Sequence, residues 1–186
     1  MNKKRSILII LFVTLIVFLI GYTTSYIIKG TTTNNIITFG NIKLKLIEKE
    51  LINDNLIDVK NDSKLTLVSD KISRRIMVKN ICNHPFYTRV KISVLRVNDG
   101  KTYDSSNLVS YDVSPNWVYK DGWYYYKKSL KENESTDNII EEIEFKLSDI
   151  SNNYKNSEFK LNVEAEAVQS ENNSDDFLKA VGWPSK

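Results

Sequence analysis

The sequence predicts an all-β domain of antiparallel sheets packed as a sandwich, preceded by a hydrophobic signal helix. Three observations carry this. Apolar and polar residues alternate with a period of two through five segments, polar turns separate those segments, and a basic cluster stands directly before one apolar run at the N-terminus. The chain has 186 residues, 41% of them hydrophobic and 26% charged, which suits one globular domain with a short appendage. A single cysteine makes no internal disulfide and no thiolate zinc cluster. A single histidine, His84, excludes a His-His metal pair and most Ser/His or Cys/His catalytic arrangements.

The N-terminal element comes first. Lys3, Lys4 and Arg5 precede an apolar run from Ile7 to Ile20 that only Thr14 interrupts. As a helix this run reaches roughly 21 Å at about 1.5 Å per residue, short of a bilayer core of about 30 Å. Small polar residues follow at Thr23, Thr24 and Ser25. Basic, then apolar, then small is the layout of a secretory signal peptide, so residues 1–25 read as a leader cut between Ser25 and Tyr26, with an uncleaved membrane anchor as the alternative. Without the three leading cations, 23 basic residues face 23 acidic ones, and this neutral remainder offers no basic face for nucleic acid.

Residues 26–38 read as an N-terminal arm, rich in Thr and Asn around the apolar trio Tyr26, Ile27 and Ile28. The sandwich domain is expected over 39–186. In its first strand Ile42, Leu44 and Leu46 point one way and Lys43 and Lys45 the other. Further strands are expected at 72–79, 86–96, 139–147 and 159–167. The inward rows of the second and fourth of these are Phe86, Thr88, Val90, Ile92, Val94 and Phe159, Leu161, Val163, Ala165, Ala167. Asn80-Ile81-Cys82-Asn83-His84-Pro85 supplies turn residues between two strands.

A hairpin is expected at Trp117-Val118-Tyr119-Lys120, Asp121-Gly122, Trp123-Tyr124-Tyr125-Tyr126, because Asp-Gly suits a two-residue turn with positive φ at both positions. That loop sets Tyr119 opposite Tyr124 and Trp117 opposite Tyr126, and makes Trp117, Tyr119, Trp123, Tyr124 and Tyr126 an aromatic surface for subunit contact or sugar stacking. Near the C-terminus, Ser174, Asp175 and Asp176 resemble the cap and first turn of a short helix over 174–181, stopped by Gly182 and Pro184.

Three stretches together carry a resemblance: Val78-Lys79-Asn80 through Asn83-His84-Pro85-Phe86-Tyr87-Thr88-Arg89-Val90-Lys91, Asp121 to Leu130, and the ending Ala165-Glu166-Ala167-Val168-Gln169. With Tyr26, Thr31-Thr32-Thr33-Asn34 and Phe39-Gly40-Asn41-Ile42, they resemble the TasA/camelysin family of exported Gram-positive surface and biofilm-matrix proteins, whose leaders are removed by a SipW-type signal peptidase. The resemblance implies a jelly-roll-like β-sandwich, secretion to the cell surface, and self-association into fibres in which the N-terminal arm adds as a strand to the next subunit. Tyr26, Ile27, Ile28, Ile36 and Ile37 then supply the apolar contacts of the arm. The sequence departs from the family at Lys29-Gly30 and at Cys82.

The same resemblance offers an alternative, a camelysin-type cell-surface metalloendopeptidase. Zinc in a peptidase takes about three protein ligands and an open position, and with one imidazole the donors fall to carboxylates such as Glu142, Glu144, Glu164 and Glu166. These alternate along strands as an outer, solvated row does. No cofactor, metal or nucleic acid is therefore expected, and membrane contact is expected only through the leader. The expected partners are copies of this chain or homologous matrix proteins, with the signal peptidase during export.

Overall fold

The computed structural model describes residues 36–39, 41–59, 64–65, 71–146, 154 and 158–184, all within the unit Thr31–Lys186. The leader, its cleavage residues Ser25 and Tyr26, and the arm residues Ile27 and Ile28 lie outside the described residues. The described part is all-β and antiparallel, with a short 3-10 turn at Ser106–Leu108 and no α-helix. Its strands are β1 (Ile36–Phe39), β2 (Ile42–Ile52), β3 (Asn55–Asp58), β4 (Lys64–Leu65), β5 (Lys71–Ser73), β6 (Arg75–Asn80), β7 (Phe86–Asn98), β8 (Lys101–Asp104), β9 (Val109–Ser110), β10 (Trp117–Lys120), β11 (Trp123–Tyr126), β12 (Glu142–Phe145) and β13 (Glu158–Gln169).

Two layers face each other across one core. In the first, β2 pairs with β6 along one edge, while β1 and β3 share the other edge at opposite ends of the strand. The backbone from Asn133 to Ile139 runs beside β6, with Ile139 N–H donating to Ile76 O and Thr136 N–H to Val78 O. The same chain continues into β12, which pairs with β5 and β9. The second layer runs β10-β11-β7-β13-β4, with β8 on the far end of β7. Its spine is the twelve-residue ladder from Glu158↔Val97 to Gln169↔Phe86.

The period-two pattern explains which face each strand buries. Ile42, Leu44 and Leu46 are buried while Lys43 and Lys45 are exposed. On β7 the inward row Phe86, Thr88, Val90, Ile92 and Val94 is buried throughout. Opposite it, Ala165 and Ala167 on β13 face Val90 and Thr88, so small residues make room for the first layer. Phe145 and Phe159 meet edge-on between the layers with ring centroids 5.5 Å apart, a favoured aromatic geometry.

The segment expected as one strand over 72–79 is broken at Arg74. There the chain passes from the pairing of β5 with β12 to that of β6 with β2. The Arg74 side chain is 2% exposed, lies 2.5 Å from a Glu50 carboxylate oxygen, and draws on Glu48 as well. Burial nevertheless pushes Glu48 above the usual carboxylate range, with Arg74 pulling the other way.

The connection between β6 and β7 is built on Asn80, which is fully buried. Its Nδ2 donates to His84 O and Leu130 O, each at 2.9 Å, and its Oδ1 accepts from Cys82 N–H at 2.8 Å. Asn80→Ala removes three buried hydrogen bonds and leaves the Cys82 amide without its acceptor, while Leu130 O keeps Phe86 N–H and His84 O keeps the Cys82 thiol; a buried unsatisfied group costs about 1–3 kcal/mol and each lost bond about 1 kcal/mol. We expect a loss of about 3 kcal/mol in urea unfolding. Asn80→Asp should be as damaging, because a carboxylate cannot donate to the two carbonyls.

The Asp121-Gly122 hairpin has the expected register, with Tyr119↔Tyr124 and Trp117↔Tyr126 paired and φ of 51° and 83° at the two turn residues. The helix expected over 174–181 is absent. Asp176 N–H donates to Ser174 Oγ and Leu178 N–H to Asp176 Oδ1, while Asn173 Oδ1 accepts from both Ser174 and Val181 N–H. These side chains satisfy backbone donors locally and hold a compact run of turns in place of a helix.

Candidate interaction surfaces

The arm expectation divides at residue 36. Ile36 and Ile37 belong to β1, where they pair with Lys45 and Leu44 of the same chain, and Ile37 packs against the core. The folded body thus begins before the expected boundary at residue 39, and these two residues are not part of a free arm in this chain. The reason is register: Ile37 directly opposite Leu44 extends the inward row of β2 by one apolar residue. Because β1 pairs only with β2 among the described strands, it is an edge strand.

A second edge feature is the β2–β3 hairpin. Asn53 and Asp54 turn with φ of 49° and 63°, and Leu51, Ile52, Leu56 and Ile57 are exposed on its two faces. Sequence reasoning passed over it. The near-palindrome Leu51-Ile52-Asn53-Asp54-Asn55-Leu56-Ile57 was the available signal, since Asn and Asp tolerate positive φ.

The aromatic hairpin separates into three environments. Trp117 and Tyr126 are buried in the main core, which corrects their assignment to a surface. They close the end of the sandwich, ring against ring at 5.1 Å. Tyr124 is half-buried and packs between Tyr119, with centroids 4.9 Å apart, and Tyr111, edge-on at 6.4 Å. Its hydroxyl donates to that of Tyr111 at 3.3 Å, and burial drives the Tyr111 phenol well above its ordinary pKa. Only Tyr119, 63% exposed, offers an open aromatic face.

Trp123 belongs to a cluster on the outer side of the second layer. The register places Arg89 of β7 opposite Glu166 of β13. Arg89 Nε and Nη2 reach the same Glu166 oxygen at 2.8 and 2.6 Å, and Nη1 donates to the Tyr125 hydroxyl at 2.9 Å. The guanidinium lies between two indoles, 4.4 Å from the Trp123 ring centroid and 4.5 Å from that of Trp183. Trp183 stands perpendicular to Tyr125 at 5.5 Å and donates through Nε1 to Ala180 O. Beside it, Tyr87, Val168 and Ala180 form a second small core with Phe177. The turns of residues 170–184 therefore cover this face, and Glu166 is buried where a solvated outer row was expected.

The remaining candidates are accounted for locally. Cys82 is buried, with its thiol donating to His84 O at 3.4 Å, and His84 Nδ1 lies 3.6 Å from a Glu171 oxygen. Glu142 and Glu144 are held by Lys71 at 2.8 and 3.9 Å. Among the described residues no group of three or more His, Cys, Asp or Glu side chains is placed to hold a metal ion, and no helix is long and apolar enough to cross a membrane. No family model, curated protein or solved structure matches the chain.

Proposed function

We propose that the chain is an exported structural protein of the Gram-positive cell surface or biofilm matrix, with a jelly-roll-like sandwich as its subunit. Residues 1–25 serve as its secretion leader, and it self-associates by adding its N-terminal strand to a neighbouring copy. The observation that carries the reading is the position of β1. It is the first described strand and an edge strand, held by four residue pairs, and residues 40–41 alone connect it to β2. Its backbone hydrogen bonds are satisfied equally by its own β2 or by the β2 of another copy, and exchange of one identical element is a low-cost route to assembly. The family resemblance of the sequence points the same way. No observation favours the metallopeptidase alternative.

A covalent lock tests this. Ile36 and Lys45 are Cα partners, so Ile36→Cys with Lys45→Cys, in a Cys82→Ser background, ties β1 to β2. In the processed protein oxidised as a monomer, the cis disulfide should abolish fibres seen by electron microscopy, and reduction should restore them. Oxidation after assembly should give a ladder of disulfide-linked oligomers. Fibres that grow from fully cis-locked monomer would overturn the proposal.

A further inference from the structure

We infer that the open groove on the outer face of the first layer is a docking site for an extended, lysine-bearing peptide supplied by another protein. The site lies within one subunit, so the inference goes beyond the assembly reading and does not depend on it. The groove measures about 990 Å³ and is shaped by β2, β5, β6, residues 112–115 and residues 136–142. Its size matches the upper end of the roughly 300–1,000 Å³ of small-molecule pockets, and it is open to solvent on one side, which suits a length of chain better than a compact ligand.

Strand alternation builds the floor. Ile72, Ile76 and Val78 turn into the core, which sends Ser73, Arg75 and Met77 to the outer face, beside Leu51 of β2. Leu51 and Met77, with Val113 next to them, make this floor aliphatic. Among the described residues no aromatic ring lines the groove, so it lacks the flat platform on which a sugar stacks. Aliphatic walls suit the stem of a lysine, which lies along apolar surface while its ammonium reaches past it, and a methionine adapts to whichever side chain lies on it.

The charge of the groove selects a cation. Asp112, Asp137, Glu141 and Glu142 line it against one guanidinium, that of Arg75. Lys71 engages Glu142 at 2.8 Å and Arg75 lies 3.9 Å from Glu141, which leaves Asp112 and Asp137 without a cation at salt-bridge distance among the described residues. Asp137 is hydrogen-bonded to Asn116 and to the Tyr126 hydroxyl, and these hold its carboxylate in place without neutralising it. Two uncompensated carboxylates in a cleft with apolar walls concentrate a negative field there. Two further polar atoms of opposite sense have no hydrogen-bond partner, Nε of Arg75 and Oδ1 of Asn138. The Asn138 amide is fixed in that sense because its Nδ2 donates to Glu141. Each atom sits on a half-exposed side chain that can turn it toward a guest, and a peptide backbone carries both the acceptor and the donor they need. Among the described residues the adjacent basic pairs, Arg74-Arg75 and Lys127-Lys128, are set within the folded body, with Arg74 buried against Glu50 and Lys127 donating to Pro115 O. The guest is thus a separate polypeptide.

Fluorescence anisotropy of a labelled, end-capped pentapeptide that alternates lysine with valine, titrated with monomeric processed protein, tests the site. The expected result is saturable binding that Asp112→Asn with Asp137→Asn weakens about tenfold. Leu51→Ser, at an exposed position of the floor, should weaken it about threefold. An unchanged urea midpoint in Asp112→Asn and in Leu51→Ser separates loss of the site from loss of the fold. Asp112→Lys should shift the preference toward the same peptide with glutamate in place of lysine. Zero-length carbodiimide coupling of amines to carboxylates should join the peptide's lysines to Asp112 or Asp137. No saturable binding, or binding that Asp112→Asn and Leu51→Ser leave unchanged, would overturn the site. Equal binding of spermine or of a glucosamine oligomer would overturn the peptide as its guest. Carbodiimide products that join two copies of the chain through Asp112 or Asp137 in the absence of peptide would assign the groove to self-contact and overturn the separate partner.

Discussion

Arg89→Ala should destabilise the protein by about 3–5 kcal/mol and release the C-terminal segment from the second layer. Arg89 and Glu166 side chains are only 14% and 10% exposed, and removal of one partner of a buried ion pair leaves the other charge uncompensated, which typically costs that much. The guanidinium also fills the space between Trp123 and Trp183, so its loss removes two cation–π contacts of about 0.5–2 kcal/mol each from the face that residues 170–184 cover. Native-state proteolysis should then cut within residues 170–184 while the sandwich stays intact, and tryptophan emission should shift to the red as Trp183 meets water. Arg89→Lys should recover only part of the loss, since an ammonium satisfies Glu166 but cannot stack as a plane between two indoles. Unchanged urea midpoint and protease resistance in Arg89→Ala would show that the segment is held by the Tyr87, Val168 and Ala180 contacts alone.

Phe159→Ala should cost about 4 kcal/mol, in the roughly 3–5 kcal/mol range for a buried phenylalanine truncated in a close-packed interior. Phe159 is fully buried and bridges the layers to Phe145, so the cavity opens between the two sheets, where neither can close without shifting its ladder. For a domain of this size the change corresponds to a fall of about 10 °C in Tm. Phe159→Leu keeps most of the volume and should lose less than half as much. A fall of under 2 °C for Phe159→Ala would mean that the layers are held elsewhere, and would remove the Phe145–Phe159 contact from the account of the core.

These two residues show how unevenly the structure could be read in advance. Phe159 is legible, because it stands at the head of an alternating row whose apolar members can face only inward. Arg89 is not. Its alternation places it correctly on the outer side, and there an arginine reads as solvated until something is known to lie on top of it. Likewise Trp117 and Trp123 both belong to the expected hairpin in the expected register, yet one closes the core and the other stacks on Arg89. Local spacing assigns a face of the strand, and only the packing of other segments says whether that face meets water.

Turns divide in the same way. Asp121-Gly122 announces itself because both residues accept positive φ. Asp99-Gly100, with φ of 48° and 74° between β7 and β8, follows the same rule and was equally readable. The run Ser174-Asp175-Asp176 misleads, since the side chains that cap a helix can also replace it. Asn173 reaching Val181 N–H and O at 3.0 Å decides the matter through a contact eight residues long.

The sequence by itself determined the all-β antiparallel class, the inward rows of the long strands and the aromatic hairpin with its register, because these follow from period-two alternation and from φ preferences that act over two to four residues. The tertiary structure decided the rest: that Ile36 and Ile37 pair back onto β2, that residues 170–184 bury Arg89 and Glu166, and that the chain from 133 to 139 joins β6 into one layer and leaves a groove on its outer face. Each of these depends on hydrogen bonds and burial between segments far apart in the chain, and no local pattern encodes which distant partner will supply them.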